Sequence, residues 1–324
     1  MPRVLVTGSL GFIAGHLCEM LLGRDYEVDG IDSESYAANL DLLPKLLENK
    51  NFHYWKYDVR DYKSIESLIL NNYDVVFHLA ACSHVDRSIE SPKEFIETNI
   101  IGTFNLLEAI RLKSPDTRLV YVNTDEIFGS LGDQGIPFVE EDQLRPSSYY
   151  SSSKASAGLL CYAAYKTYGM GVVSTACTNN YGTRQFPEKL IPKVICNILS
   201  GKKVPIYGQG NQRRNWIHVE DHCRGIICAS AFGFGGETYN LAGNYLMSNI
   251  ELVTKICEIM EVKPRNVIEH VEDRKGHDFC YNINANKAFK ELGWCPEHQS
   301  IDEDLKVIIK WYRDNEAWWK DKIK

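Results

Sequence analysis

The sequence predicts an α/β protein, a doubly wound parallel sheet with a smaller carboxy-terminal lobe, and three observations carry that reading. Short β-branched runs alternate with helical stretches through the first half. A glycine-rich turn joins the first strand to the first helix. After about Asn180 the loops lengthen and become richer in Gly, Pro and charge. Alternation of this kind implies parallel strands joined by right-handed crossovers, with helices covering both faces.

The first strand, over 4–6, runs into Gly8-Ser9-Leu10-Gly11-Phe12-Ile13-Ala14, with a helix over 12–22. Glycines there permit a tight turn and close backbone approach. The helix N-terminus offers amide donors and the positive end of its dipole to a pyrophosphate, as in a Rossmann-type NAD-binding domain. The second strand, over 28–31, ends at Asp32, where a carboxylate would hold an adenosine ribose. Ser33-Glu34-Ser35 follow with no Arg or Lys to meet a 2′-phosphate, so NAD is favoured over NADP. A third strand over 53–57 leads to Asp58, which suits either the adenine edge or a helix cap before a helix over 62–70. Strands over 75–79 and 119–122 flank helical sequence at 95–112. A helix over 150–168 and a strand over 172–175 complete the half, which sets domain limits of 1–180 and 181–324, with some exchange of elements between them. In the second part, helices are expected at 249–260 and 301–319, the last burying Trp311, Trp318 and Trp319 on one face.

With 324 residues, 44% hydrophobic and 24% charged, the chain can bury a large core. A net charge of -7 with scattered Lys and Arg argues against nucleic acid as a partner. No signal peptide is recognisable and no apolar run is long enough for a bilayer, so no membrane partner is expected. The ten cysteines include no C-x-x-C pair and read as free, mostly buried thiols of a cytoplasmic protein. His218 and His222 are four apart, but nothing else supplies ligands, so they read as helix-start residues and no metal is expected.

Two groups of residues carry chemistry. Thr124-Asp125-Glu126 follow a strand, and adjacent carboxyls there can supply one acid and one base. In a closed pocket they should titrate as a pair, one protonated and one ionised. Tyr150 and Lys154 share one helix face, where an ammonium would lower the phenol from its ordinary value near 10. Lys154 could also donate to a nicotinamide ribose. Behind a dinucleotide fingerprint, this set points to redox chemistry on a sugar followed by loss of water.

These residues resemble the nucleotide-sugar 4,6-dehydratases of the extended short-chain dehydrogenase/reductase superfamily, most closely the dTDP-glucose type and its UDP-glucose relatives. The likeness runs through TGSLGFIA, LAACSHVDRS, ETNIIGT, NTDEIFG, YYSSSKAS, TNNYGT, FPEKLIP, PIYG, NWIHVEDH and DRKGHD. The T-D-E triplet separates this type from epimerases, which usually lack both acids, and from relatives carrying T/S-S-E. The resemblance implies that Tyr150 takes the O4 proton as C4 gives hydride to NAD, that Glu126 removes the C5 proton, and that Asp125 protonates the departing C6 hydroxyl. It implies NAD contacts at Gly8, Gly11, Phe12, Ile13, Asp32 and Ser35, at Asp58, Val59 and Thr98, and at Leu79, Ala80, Ala81 and Asn180, with Tyr150 and Lys154. It places the sugar nucleotide, with Thr124, on Ser83, Asn179, Lys189 and Leu190, and further out on Pro205, Tyr207, Arg214, Asn249, Arg274 and His277. Arg214 and Arg274 suit a diphosphate, because guanidinium forks match phosphate oxygens. Cys82, Ala14, Asn215 and Lys275 depart from the family pattern, without removing a catalytic group. A homodimer built on the helices at 95–112 and 150–168 is also implied. The residues leave dTDP and UDP both open as the nucleotide. Rival readings are an epimerase or decarboxylase of related sugars, or a dinucleotide-binding regulator without catalysis.

Overall fold

Strand β1 (Arg3–Thr7), almost wholly buried, is flanked by β2 (Glu27–Ile31) and by β4 (Val75–His78), with β3 (Phe52–Trp55) beyond β2. β5 (Arg118–Thr124) and β6 (Val172–Cys177) extend the sheet on the β4 side. The computed structural model describes residues 1–132, 135–274 and 276–323, so Lys275 lies outside the described residues. Later in the chain come β7 (Asn179–Tyr181), β8 (Val204–Tyr207), β9 (Arg213–His218), β10 (Thr238–Leu241), β11 (Tyr245–Ser248), β12 (Ile268–Val271) and β13 (Cys280–Tyr281).

Among the described residues the main sheet has seven strands in the order β10-β6-β5-β4-β1-β2-β3, every pair parallel. Burial of both faces explains the apolar runs rather than an alternation of apolar and polar residues. One cluster, from Val4 and Val6 to Leu241 and Trp294, covers one face; a second, from Leu5 and Ile65 to Cys161 and Val172, covers the other. β10 pairs with β6 at the edge of the main sheet. A separate core of Tyr181, Ile195, Trp216, Leu252, Ile308 and Trp319 packs around β9 and β11. Cys18, Cys161, Cys177, Cys196, Cys223 and Cys257 carry free thiols and are buried.

The expected helix over 95–112 is in fact composite. Pro92–Phe95 leads into a π-helical turn, Ile96–Ile101, before Gly102–Lys113. Such wide turns often occur at functional sites, and this one turns Asn99 inward. Its amide donates to Cys82 O at 3.0 Å and Ser153 Oγ at 2.9 Å, and its Oδ1 accepts from Cys82 N at 2.8 Å. The last helix also breaks: Ile301–Asp314 stops at Asn315 before Glu316–Trp319. Trp319 is buried there, with Trp311 and Trp318 packed against the same core.

His218 caps the helix Val219–Phe232 and His222 is fully buried within it, while His298 and Asp304 lie close to His218, against the expectation that nothing else there could supply ligands. His218 stacks on His298 at 3.6 Å, and His298 Nδ1 lies 2.8 Å from Asp304 Oδ1. The Asp304 bond, then the Glu220 contact, push His298 up to about 10, so it stands as an imidazolium on a neutral ring.

Candidate active site

The strand order reverses between β1 and β4, and at that switch point the carboxyl ends of an open sheet leave a crevice. A cleft of about 620 Å³ opens there. Its walls bring together Gly8, Gly11, Phe12, Ile13, Asp32 and Ser35 with Asp58, Val59, Leu79, Ala80, Ala81 and Thr98. Thr124, Asp125, Glu126, Tyr150, Lys154 and Asn180 line the same space, as do Ser83, Asn179, Lys189 and Leu190. Pro205, Tyr207, Arg214, Asn249, Arg274 and His277 stand off this wall. Tyr207 and His277 meet edge to face at 5.8 Å, and Arg274 pairs with Asp86 at 3.3 Å, its buried Nε having no partner among the described residues.

The glycine turn fits a dinucleotide. Gly8 has φ +69°, and a Cβ there would lie 2.9 Å from Ala80 Cα, so only glycine lets β1 and β4 end this close together. Gly11 caps the helix Phe12–Leu22 with no side chain in the way, leaving first-turn N–H groups to a ligand. Asp32 accepts from Leu10 N at 3.1 Å and Glu34 N at 2.7 Å, which fixes its carboxylate at the end of β2. Beneath this turn Thr7 Oγ1 accepts from Leu79 N and Ala80 N and bonds to His78 Nδ1 at 2.8 Å. Burial lowers His78 to about 3, so it stays neutral, and its Nε2–H can donate to Thr103 Oγ1 at 2.9 Å. Asp58 is gripped by Arg60, with contacts down to 2.6 Å; burial opposes its ionisation, but these bonds hold it below the usual carboxylate range.

The catalytic candidates sit where β5 ends. Thr124 caps a short 3₁₀ turn, Asp125–Phe128, accepting from Glu126 N at 3.4 Å, and this turn holds both acids at the cleft. Asp125 is 3% exposed; Thr124 Oγ1 donates to its Oδ1 at 3.3 Å, and its buried Oδ2 has no partner among the described residues. Burial first, then the Glu126 charge, push Asp125 up to about 8, so it is mostly protonated at neutral pH. Burial raises Glu126 too, while Arg214, Lys189 and Arg274 pull the other way and favour its anion. Burial raises both carboxyls, and the Glu126 charge acts on Asp125 in addition.

Tyr150 differs from expectation. Burial, with Glu126 next, raises its phenol well above 10. Lys154 does not offset this, because its Nζ donates to Val122 O at 2.7 Å and lies 4.3 Å above the Tyr121 ring. Burial brings Lys154 down to about 8. Arg214 also differs: its guanidinium donates to the carbonyls of Arg213, Phe279 and Asp278 at 2.8–3.3 Å and stacks 4.1 Å from Tyr281. Asn123, Gln185 and Trp216 line the cleft without having been singled out, as do Tyr36, Phe186 and Glu188. The last two sit in the quoted FPEKLIP segment and Trp216 in NWIHVEDH; only a fold shows that they face the cavity.

The GDP-mannose 4,6 dehydratase family model matches residues 5–305. The dTDP-glucose 4,6-dehydratase of Neisseria meningitidis serogroup B is 41% identical over 341 residues, covering 99% of this chain and 96% of that protein. A crystal structure of DesIV, a dTDP-glucose 4,6-dehydratase from Streptomyces venezuelae with NAD and TYD bound, matches with TM-score 0.95 and 38% identity over 99% of each chain. The Bacillus anthracis dTDP-glucose 4,6-dehydratase in complex with NAD matches with TM-score 0.91 and 39% identity, over 99% of this chain and 100% of the other. The chain belongs to the GDP-mannose 4,6 dehydratase family, within the nucleotide-sugar 4,6-dehydratases of the extended short-chain dehydrogenase/reductase superfamily.

Proposed function

We propose that this protein is an NAD-dependent dTDP-glucose 4,6-dehydratase, a hydro-lyase forming dTDP-4-keto-6-deoxyglucose and water. One observation carries the reading: the buried, mostly protonated Asp125 lies beside Glu126 in the cleft that also holds Tyr150. An epimerase or decarboxylase expels no C6 hydroxyl and has no need of an acid for that step. The relatives' dTDP-glucose activity, and NAD and TYD in the DesIV crystal, support NAD and this nucleotide.

Bound NAD supplies a hydride acceptor that later becomes the donor, and a positive ring that favours a phenolate. Tyr150 takes the O4 proton as C4 is oxidised, and Thr124 offers a hydroxyl to the reacting sugar oxygen. The C4 ketone acidifies C5, and Glu126, a carboxyl raised by burial and so a stronger base than an exposed one, removes the C5 proton. Asp125 gives its proton to the departing C6 hydroxyl. Hydride return to C6 and protonation of C5 complete the product and restore NAD. Arg274, whose Nε–H has no partner among the described residues, suits the diphosphate better than Arg214, whose donors already serve three carbonyls.

Incubation with dTDP-, UDP-, GDP- and CDP-glucose tests the reading. Product about 18 Da lighter, with no net NADH and dTDP-glucose preferred, is expected. Unchanged mass with every sugar nucleotide, or stoichiometric NADH, overturns it; UDP-glucose as the preferred substrate would change the nucleotide alone.

A homodimer through the helices Gly102–Lys113 and Tyr149–Tyr168 belongs to the same proposal, since Phe104, Leu112, Leu159 and Tyr162 leave apolar surface exposed on them. Sedimentation at twice the chain mass is expected, and a monomer at micromolar concentration counts against it. No helix among the described residues is long and apolar enough to cross a membrane. A cytoplasmic location is proposed on the buried free thiols, which suit a reducing compartment; fractionation of cells, with the protein found in the periplasm or medium, would refute it.

A further inference from the structure

A cluster without a place in the chemistry spans the cleft wall. Tyr36, in the loop after β2, donates its hydroxyl to Glu188 Oε1 at 2.9 Å. The Arg87 guanidinium lies 3.5 Å from the centre of the Tyr36 ring, and its Nε is 3.7 Å from Glu188 Oε2. Phe186 meets the same ring edge-on at 5.5 Å, and His84 Nε2 is 3.8 Å from Glu188 Oε2. The Glu188 side chain is 15% exposed and that of Arg87 50%, so the cluster sits at the cleft rim with its carboxylate sheltered and its guanidinium partly in water. A guanidinium over an aromatic face adds to these contacts.

Three chain segments meet here: the loop after β2, the start of the helix Val85–Glu90, and the loop before the helix Leu190–Leu199. Each also carries a residue assigned above to a ligand: Ser35 for the dinucleotide, Ser83 and Lys189 for the sugar nucleotide. Tyr36, Phe186 and Glu188 themselves line the cleft. We propose that Tyr36, Glu188 and Arg87 form a clasp that retains the dinucleotide through the catalytic cycle. The inference rests on the 4,6-dehydratase reading, which gives the clasp its purpose. Hydride leaves C4 and must return to C6, so a reduced cofactor lost midway would strand a ketone. Parting Tyr36 from Glu188 separates the adenosine side of the cleft from the segment that presents Lys189. These residues touch no reacting atom; they hold the two sides together.

The test uses the full chain with its bound cofactor. Tyr36→Phe removes the hydroxyl, Glu188→Gln the charge, and Tyr36→Ala the ring as well; melting curves identify any variant that misfolds. Release of NAD is followed by exchange against labelled NAD. Turnover of dTDP-glucose is then run with pyruvate and lactate dehydrogenase, where NADH that escapes gives its hydride to pyruvate and leaves lactate. Loss of one charge-assisted bond should speed release roughly tenfold in Tyr36→Phe and Glu188→Gln, and further in Tyr36→Ala. Lactate should accumulate with the variants and not with the wild type. Release at the wild-type rate in all three variants overturns the clasp, and so does faster release without lactate. Should the wild type fail to dehydrate dTDP-glucose, the functional reading falls, while the exchange rates still decide whether the clasp retains NAD.

Discussion

Asp125→Asn is expected to stop the reaction halfway: C4 oxidation proceeds, NADH absorbance at 340 nm builds up on the enzyme, and product formation falls by about 10²–10⁴. The amide keeps the shape of Asp125 and its bond from Thr124 but has no acidic proton for the C6 hydroxyl. Elimination at the normal rate would show that another group expels that hydroxyl. The same substitution should stabilise the fold. Burial and Glu126 hold Asp125 at about 8 in the native chain, whereas an unfolded aspartate ionises near 3.9. Between those values the native state binds more protons, so stability falls as pH rises; below the unfolded value the penalty is absent. Removing the carboxyl removes that penalty, so Asp125→Asn should melt higher than wild type at pH 8 and equal to it near pH 3. An equal melting temperature at pH 8 would mean that Asp125 is not held protonated. For the wild type, elimination should weaken as pH rises through 8, because the acid form is lost.

Tyr150→Phe should act one step earlier. Without the phenol no group takes the O4 proton, and oxidation at C4 is expected to fall by about 10²–10⁴ with no NADH at any stage. The contrast with Asp125→Asn decides the order of events. NADH accumulating at the normal rate in Tyr150→Phe would remove the base from the account. Burial keeps this phenol neutral and Lys154 is held by the Val122 carbonyl, so the step must draw on the positive nicotinamide. A pH profile of C4 oxidation in the holoenzyme should therefore break well below the phenol's value in the free chain.

The parallel sheet was legible mainly in β1, β4 and β5, which are apolar runs; β10, with the sequence T-Y-N-L, was not, because its place beside β6 is tertiary. The cofactor end was legible because a dinucleotide needs glycine at one fixed place, and Gly8 with φ +69° stands there. The composite helix was not legible: 92–113 has helical periodicity throughout, and the π turn exists because Asn99 has partners at Cys82 and Ser153, far away in sequence. The break at Asn315 is likewise tertiary, since Trp318 turns to donate to Asn39 at 2.9 Å. Proximity of Tyr150 to Lys154 was readable from their spacing, but its electrical consequence was not. Spacing does not reveal that Lys154 bonds the Val122 carbonyl, or that burial dominates both groups. The Tyr36–Glu188 contact joins residues 152 positions apart, beyond the reach of any local pattern.

In the proposed cycle one cleft oxidises, eliminates and reduces the same sugar. dTDP-glucose carrying deuterium at C4 tests this most directly, with the position of the label read by NMR in the dehydrated product. The account predicts deuterium at C6, moved within one molecule while C5 takes its proton from solvent. Deuterium lost to water, or recovered in released cofactor, would contradict it.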